Sequence, residues 1–153
     1  MSRKSTQTKR SPSHPTPKPR PVVTAGRVRV EPADVRLVLG KGSELRGGGP
    51  GGSYWHVYVG KVRAGHIYIN RKHDSLGEAA SVQIQLDREQ QGRNIGRVAY
   101  RLACEKSGYD RIYAEMRKNN FASMRAAECA GFVPLPQKQG NQLTMVWRRP
   151  LPD

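Results

Sequence analysis

The 153-residue chain is short of cysteine, of acid and of apolar residues. Its two cysteines, Cys104 and Cys129, match no zinc-ligand spacing. Both fall among alanines in segments with helical periodicity, and they read as buried reduced thiols rather than a disulfide. That reading favours a reducing compartment, and the cytoplasm is the expected setting. No apolar run approaches the ~20 residues of a bilayer span, so no membrane contact is expected. The basic N-terminus lacks the apolar stretch of a secretory signal. The hydrophobic fraction of 36% is low for a chain packed along its whole length.

Acid is the scarcest of the three. Twelve Asp and Glu face 27 Lys and Arg, for a net charge of +15. The first 30 residues hold eight Lys or Arg and no acid, which leaves +7 on the remainder. Such an excess favours acidic partners: nucleic acid, anionic lipid or a phosphorylated small molecule. Residues 1–21, "MSRKSTQTKRSPSHPTPKPRP", contain five prolines and no aliphatic residue except Met1. Ordering them would cost ~1–2 kcal/mol of backbone entropy each, with nothing to bury in return. The expected organisation is a disordered basic tail over 1–24 and one folded domain over 25–153.

What is present from Val28 onward is periodic. "VRLVLG" (35–40), "YWHVYVG" (54–60), "HIYIN" (66–70) and "ASVQIQLD" (80–87) alternate as strands. The middle two read as a hairpin, with "KVRAG" carrying the turn or the start of the second strand. Between the first two lies "ELRGGGPGGS" (44–53), five glycines around one proline, which reads as a flexible loop. The period then shifts. Ile95, Val98, Ala99, Leu102 and Ala103 fall at helical spacing, and Gly108 ends that run. "RIYAEMR" (111–117) reads as a strand, and "NNFASMRAAECAGF" (119–132) as a helix with an asparagine N-cap and a Gly131 stop. "QLTMVWRR" (142–149) is a last strand. The order implies a mixed α/β domain. Tyr54, Trp55, Tyr58 and Trp147 read as packing residues rather than a base-stacking surface.

The stretch "QGRNIG" (91–96) follows a strand and opens a helix. The first N–H groups of a helix lack intrahelical partners and carry partial positive charge, so a phosphate fits there. Gly92 and Gly96 admit an oxygen to the backbone, and Arg93 and Arg97 add charged donors. The spacing is neither G-x-G-x-x-G nor a Walker loop.

Residues 82–132 resemble the acetyl-CoA-binding half of the GNAT superfamily of N-acetyltransferases. The family carries Q/R-x-x-G-x-G/A between a strand and a helix, matched here by Gln91, Gly92, Arg93, Ile95 and Gly96. Asn94 stands where the family usually has glycine, and asparagine tolerates a positive φ. "NNFASMRAAECAGF" is closest to the ribosomal-protein and N-terminal acetyltransferase branch. Ala127 takes the place of a frequent tyrosine, and about Ala80 that of a frequent glutamate. The two helices that usually follow the first strand look shortened, because residues 41–53 are mostly glycine, serine and charge. The resemblance implies a mainly antiparallel sheet flanked by helices, acetyl-CoA as donor and an amine as acceptor. The amine is a protein α-amine, a lysine or a small molecule.

The resemblance further implies that the main chain of Ile84, Gln85 and Leu86 holds the pantetheine arm. The phosphates would lie on Gln91 to Arg97, including Asn94. Asn120 would bond the pantetheine amides or simply cap the helix, and Ser123 would protonate the departing thiolate or cap local N–H groups. Glu78, on the strand face of Ala80, is the candidate general base, or else a surface carboxylate. His66 and His73 read as strand or loop residues, with neutral imidazoles available as alternatives. No metal is expected. The rival reading is a GNAT-shaped module that keeps CoA without turnover and docks on nucleic acid or a ribosome through its basic surface.

Overall fold

A computed structural model describes residues 27–136 and 140–152; the tail expected over 1–24 lies outside them. Seven strands form one sheet: β1 (Val35–Leu39), β2 (Ser53–Val59), β3 (Val62–Asp74), β4 (Gly77–Leu86), β5 (Arg111–Arg117), β6 (Val133–Pro134) and β7 (Gln142–Arg148). Their order is β1-β2-β3-β4-β5-β7-β6, and every neighbouring pair is antiparallel except β4–β5. Helix α1 (Ile95–Ser107) connects that parallel pair, as a parallel crossover requires. Helix α2 (Phe121–Cys129) follows β5.

The alternation in the sequence becomes two faces. Trp55, Ile67 and Ile84 form one cross-strand row, and Ile69, Val82, Ala114 and Met145 another. Most of these are fully buried, and the helix stripe of Ile95, Val98, Ala99, Ala103 and Cys104 completes the core. Small residues matter here. Ala80, Ala99, Ala103 and Ala114 are at most 1% exposed, which lets helix and sheet approach closely. The other sheet face carries Tyr54–Tyr68–Gln83, His56–His66–Gln85 and Asn70–Ser81–Tyr113. Trp55 and Trp147 are core residues, while Tyr54 and Tyr58 are half-buried.

Three expectations change. β3 and β4 are much longer than the apolar alternation, because their ladder continues through polar residues from Arg71↔Ala80 to Asp74↔Gly77. "VRAG" belongs to the strand, and Gly65 is needed where β3 crosses β4, since a Cβ there would run into the Gln85 carbonyl. The glycine-rich segment is a built turn, not a flexible loop. Asn70 Oδ1 accepts from the Gly47 N–H and its Nδ2 donates to the Leu45 carbonyl, each at 2.8 Å. Side chains at Gly42, Gly47 or Gly48 would strike backbone, so the glycines here serve close packing. Only one irregular turn, Glu44–Gly48, occupies the place of the shortened helices. Third, of the two free thiols only Cys104 is buried, and burial pushes it up to about 12; Cys129 is exposed on α2.

The β3–β4 turn is tied to β5 by Asp74. Arg111 Nη2 donates to Asp74 Oδ1 at 2.6 Å and Tyr113 Oη to Oδ2 at 2.8 Å. The Tyr113 hydrogen bond is the largest cause holding this carboxyl below the ordinary 3.8; the Leu76 N–H and Arg111 add to it, against burial. A depressed carboxyl contributes stability above its unfolded value and loses it as pH falls through the folded one. Asp74→Asn is therefore expected to lower the melting temperature at neutral pH. The gap to the wild type should close as pH drops below 3.8 in thermal melts.

Candidate functional site

The parallel β4–β5 pairing is only three residues long, Ala80↔Ile112 to Val82↔Ala114. Both strands run on, to Leu86 and to Arg117, without pairing to each other. Beyond Val82, the edge of β4 that faces β5 pairs with no strand, although the Leu86 carbonyl accepts from Gln91 Nε2 at 3.1 Å. A cavity of about 1020 Å³ opens where the free end of β4 meets the start of α1 and the first turn of α2.

The loop at its mouth is shaped by two left-handed residues. Gly92 has φ 75° and Asn94 φ 76°, and Asn94 is the one non-glycine with positive φ among the described residues. Asn94 immediately precedes α1 and its side chain makes no cap, so the first N–H groups of the helix keep their donor capacity. Gly96 faces α2. A Cβ there would lie 3.4 Å from the Ala126 Cβ, an ordinary contact, so α1 and α2 leave room for a methyl group but for little more.

Ile84, Gln85, Leu86, Gln91, Gly92, Asn94, Ile95, Gly96, Arg97, Asn120 and Ser123 all line this cavity. Arg93 does not. Its Nε donates to the Val28 carbonyl (2.8 Å) and its Nη1 to Gln90 Oε1 (2.7 Å), so it braces the loop instead of facing a ligand. Glu78 is also elsewhere. It lies four residues ahead of Val82 near the β3–β4 turn, 3.6 Å from Arg71, and no part of it reaches the cavity. Asn120 is an N-cap: its Oδ1 accepts from the Ser123 N–H at 3.2 Å.

Three features were not read from the sequence. The first is the segment preceding β1. Arg27 Nη1 donates to the carbonyls of Arg88 (2.9 Å) and Gln91, and the Val30 N–H donates to the Arg93 carbonyl (2.8 Å). This segment clasps a loop about sixty residues away, and Arg27 and Arg29 join the cavity wall. The second is Arg125, on α2. With Arg97 they make four arginines in the lining and no acid, a setting for a polyanion. The third is Tyr100, a buried α1 residue whose Oη lies 3.3 Å from Ser123 Oγ. Burial raises its pKa, so it remains a neutral phenol able to donate. A tyrosine is thus present beside the site, supplied by α1 instead of by position 127. Among the described residues, no group of three or more His, Cys, Asp or Glu is placed to hold a metal. No described helix is long and apolar enough to cross a membrane.

No family model and no curated protein matches the sequence. Solved structures do match the fold. The GNAT domain of S. lividans PAT aligns with TM-score 0.55 at 14% identity, over 64% of this chain and 61% of that one. The spermidine N-acetyltransferase of Vibrio cholerae, in complex with CoA and spermine, gives 0.54 at 19%, over 64% and 66%. A Bacillus subtilis acetyltransferase in complex with CoA gives 0.59 at 12%, over 75% and 99%. The fold is that of the GNAT acetyltransferases. The chain spans less than two thirds of the length of the first two of these proteins and nearly all of the third. Its seven-stranded, mostly antiparallel sheet with a few helices matches that fold.

The Arg27 clasp makes a prediction about the loop. Arg27→Ala removes two charge-assisted hydrogen bonds, worth about 1 kcal/mol or more at an exposed site. Amide hydrogen exchange over residues 88–93 should become about fivefold or more faster while the midpoint of global unfolding hardly moves.

Proposed function

We propose that the chain is an acyl-CoA N-acyltransferase that moves an acetyl group from acetyl-CoA to an amine. The observation that carries this reading is the cavity at the parting of β4 and β5, with four arginines, no acid and the uncapped start of α1 in its wall. Its ends suit the two halves of the donor. The pyrophosphate is an anion and matches the α1 N-terminus with Arg97, Arg27 and Arg29 around it. The pantetheine arm is an extended chain with two amides, and the free edge of β4 at Ile84–Leu86 offers it strand-like hydrogen bonds. The CoA held by the V. cholerae and B. subtilis proteins of this fold supports the same reading.

The chain's own residues then meet the demands of acyl transfer. A backbone N–H on the unpaired stretch of β4 stabilises the carbonyl oxygen as it gains charge. Ser123 Oγ donates to the departing thiolate, and Tyr100 Oη, in the same cavity wall, hydrogen-bonds that hydroxyl at 3.3 Å. Asn120 fixes the turn that carries Ser123. The finer placement, in the branch that acetylates ribosomal proteins and protein N-termini, rests on "NNFASMRAAECAGF" alone. One observation favours the rival, a CoA-holding module without turnover that docks through its basic surface: no carboxylate lines the cavity. Release of free CoA thiol in the presence of an amine separates the two.

Two substitutions test the donor site. Gly96→Glu drives a carboxylate between Ala126 and the anion end of the cavity. It should abolish the thermal stabilisation by acetyl-CoA, about 2.7 kcal/mol for the wild type at a hundred times the dissociation constant. A folded Gly96→Glu variant that is still stabilised in full would remove the assignment. Ser123→Ala should leave acetyl-CoA binding nearly intact and lower turnover by up to ~10²–10⁴-fold, the range for a positioned proton donor. Tyr100→Phe should produce a smaller loss of the same kind. Unchanged single-turnover rates in Ser123→Ala would leave Ser123 as a capping residue only.

A further inference from the structure

The donor cavity lies on the helix side of the sheet. The opposite side holds a second hollow of about 310 Å³, lined by Arg46, His66, Tyr68, Gln83, Ile84 and Gln85. Ile84 and Gln85 line both, so the two spaces meet at the stretch of β4 that lies beyond its pairing with β5. The hollow is open because the single turn Glu44–Gly48 stands between β1 and β2, and that turn delivers Arg46 over the strands.

Building on the acyl-transfer reading, we propose that this hollow is the acceptor site for an amine that also carries an anionic group. Arg46 anchors the anion, and His66 takes the proton from the amine.

The charge of the hollow selects the substrate class. It contains an arginine and no carboxylate, and among the described residues Arg46 has no acidic partner within ion-pair distance. A polyamine, cationic at every nitrogen, meets repulsion there. A carboxylate or phosphate meets a guanidinium that can bind it in two-point fashion. The volume is at the low end for ligand pockets, which suits an acceptor the size of an amino acid or an aminoalkyl phosphate.

His66 is positioned for the proton. It pairs across the strands with Gln85 and stacks on Tyr54 with ring centres 5.5 Å apart. Tyr68 lies at 6.3 Å on the same face. The charged and titratable groups around it are Arg46 from the turn, Arg63 on its own strand, His56 from β2 and Asp87 after β4. Burial first, then the cations and His56, lower its pKa from the ordinary 6.5, against Asp87. The imidazole is therefore neutral at pH 7 and can accept. The step balances as follows. His66 removes one proton from the ammonium, and the freed lone pair forms the C–N bond at the thioester carbonyl. The C–S bond breaks, Ser123 Oγ–H gives its proton to the thiolate and is reprotonated by the second amine proton relayed through water, and the proton on His66 leaves to solvent, one net proton released.

The test uses matched amines: phenylalanine against phenethylamine, phosphoethanolamine against ethanolamine, and spermidine as the polycation. CoA thiol release should give the anionic member of at least one pair a kcat/KM tenfold or more above its neutral partner and above spermidine. Arg46→Ala should erase that preference. His66→Gln keeps a side chain of similar size and should lower kcat about 10²-fold or more. It should also remove an acid limb lying below pH 6.5 and leave acetyl-CoA binding unchanged. A carboxylate preference or a phosphate preference then tells which anion the site takes. Equal rates within both pairs, faster spermidine, or a preference that survives Arg46→Ala overturns the inference. Binding is read separately, as the shift of the His66 imidazole NMR signals on adding phosphoethanolamine or phenylalanine without CoA. An Arg46-dependent shift in a chain that fails to bind acetyl-CoA would sink the donor reading and leave this site standing. Acetyl-CoA binding with no such shift from either probe would do the reverse.

Discussion

The geometry of the site depends on one constraint: β4 and β5 are parallel and hold together over only three residue pairs. Parallel neighbours need a crossover, and the crossover is α1. Its N-terminus therefore arrives at the C-terminal end of β4, where the strand has just lost its partner. Uncapped helix donors and unpaired strand edge come to lie side by side without any residue being specialised for it. The alanines at 80, 99, 103 and 114 keep the helix close to the sheet at this point. Ligand sites at the carboxyl ends of parallel strands arise for the same reason in other α/β sheets.

The second constraint is the connection between β1 and β2. A pair of helices would cover the sheet face that carries Tyr54, His66 and Tyr68. Here a glycine-rich turn does so only in part, held down by Asn70 from β3. Glycine is required because the turn folds onto its own backbone. The outcome is a polar aromatic face reachable from solvent on one side and adjoining the cavity beside α1 on the other.

Much of this was legible in the sequence. Alternation marked the apolar parts of the strands, and the shift to helical spacing at Ile95 marked α1 correctly, including its end at Gly108. The positive φ of Asn94 agrees with its standing where the resembled family usually has glycine. What could not be read depends on contacts between distant segments. The lengths of β3 and β4 come from a backbone ladder that needs no apolar side chains. Arg93 looked like a ligand because it sits in the loop, but a neighbour 65 residues earlier claims its guanidinium. Glu78 shares a strand face with Ala80, yet position along the strand, not face, decides what reaches the cavity. Tyr100 lay outside the apolar stripe read from the sequence, and its hydroxyl becomes visible only through Ser123.

The clasp by residues 27–30 links the start of the fold to the state of the cavity. Arg27 both holds the loop carbonyls and lines the space beside them, and Arg29 lines it too. A partner that drew this segment away from the loop would weaken any polyanion bound in the cavity. By thermodynamic reciprocity, that polyanion would weaken the partner's grip by the same factor. A pull on residues 27–30 would thus be felt at the cavity wall, without a second conformation of the sheet.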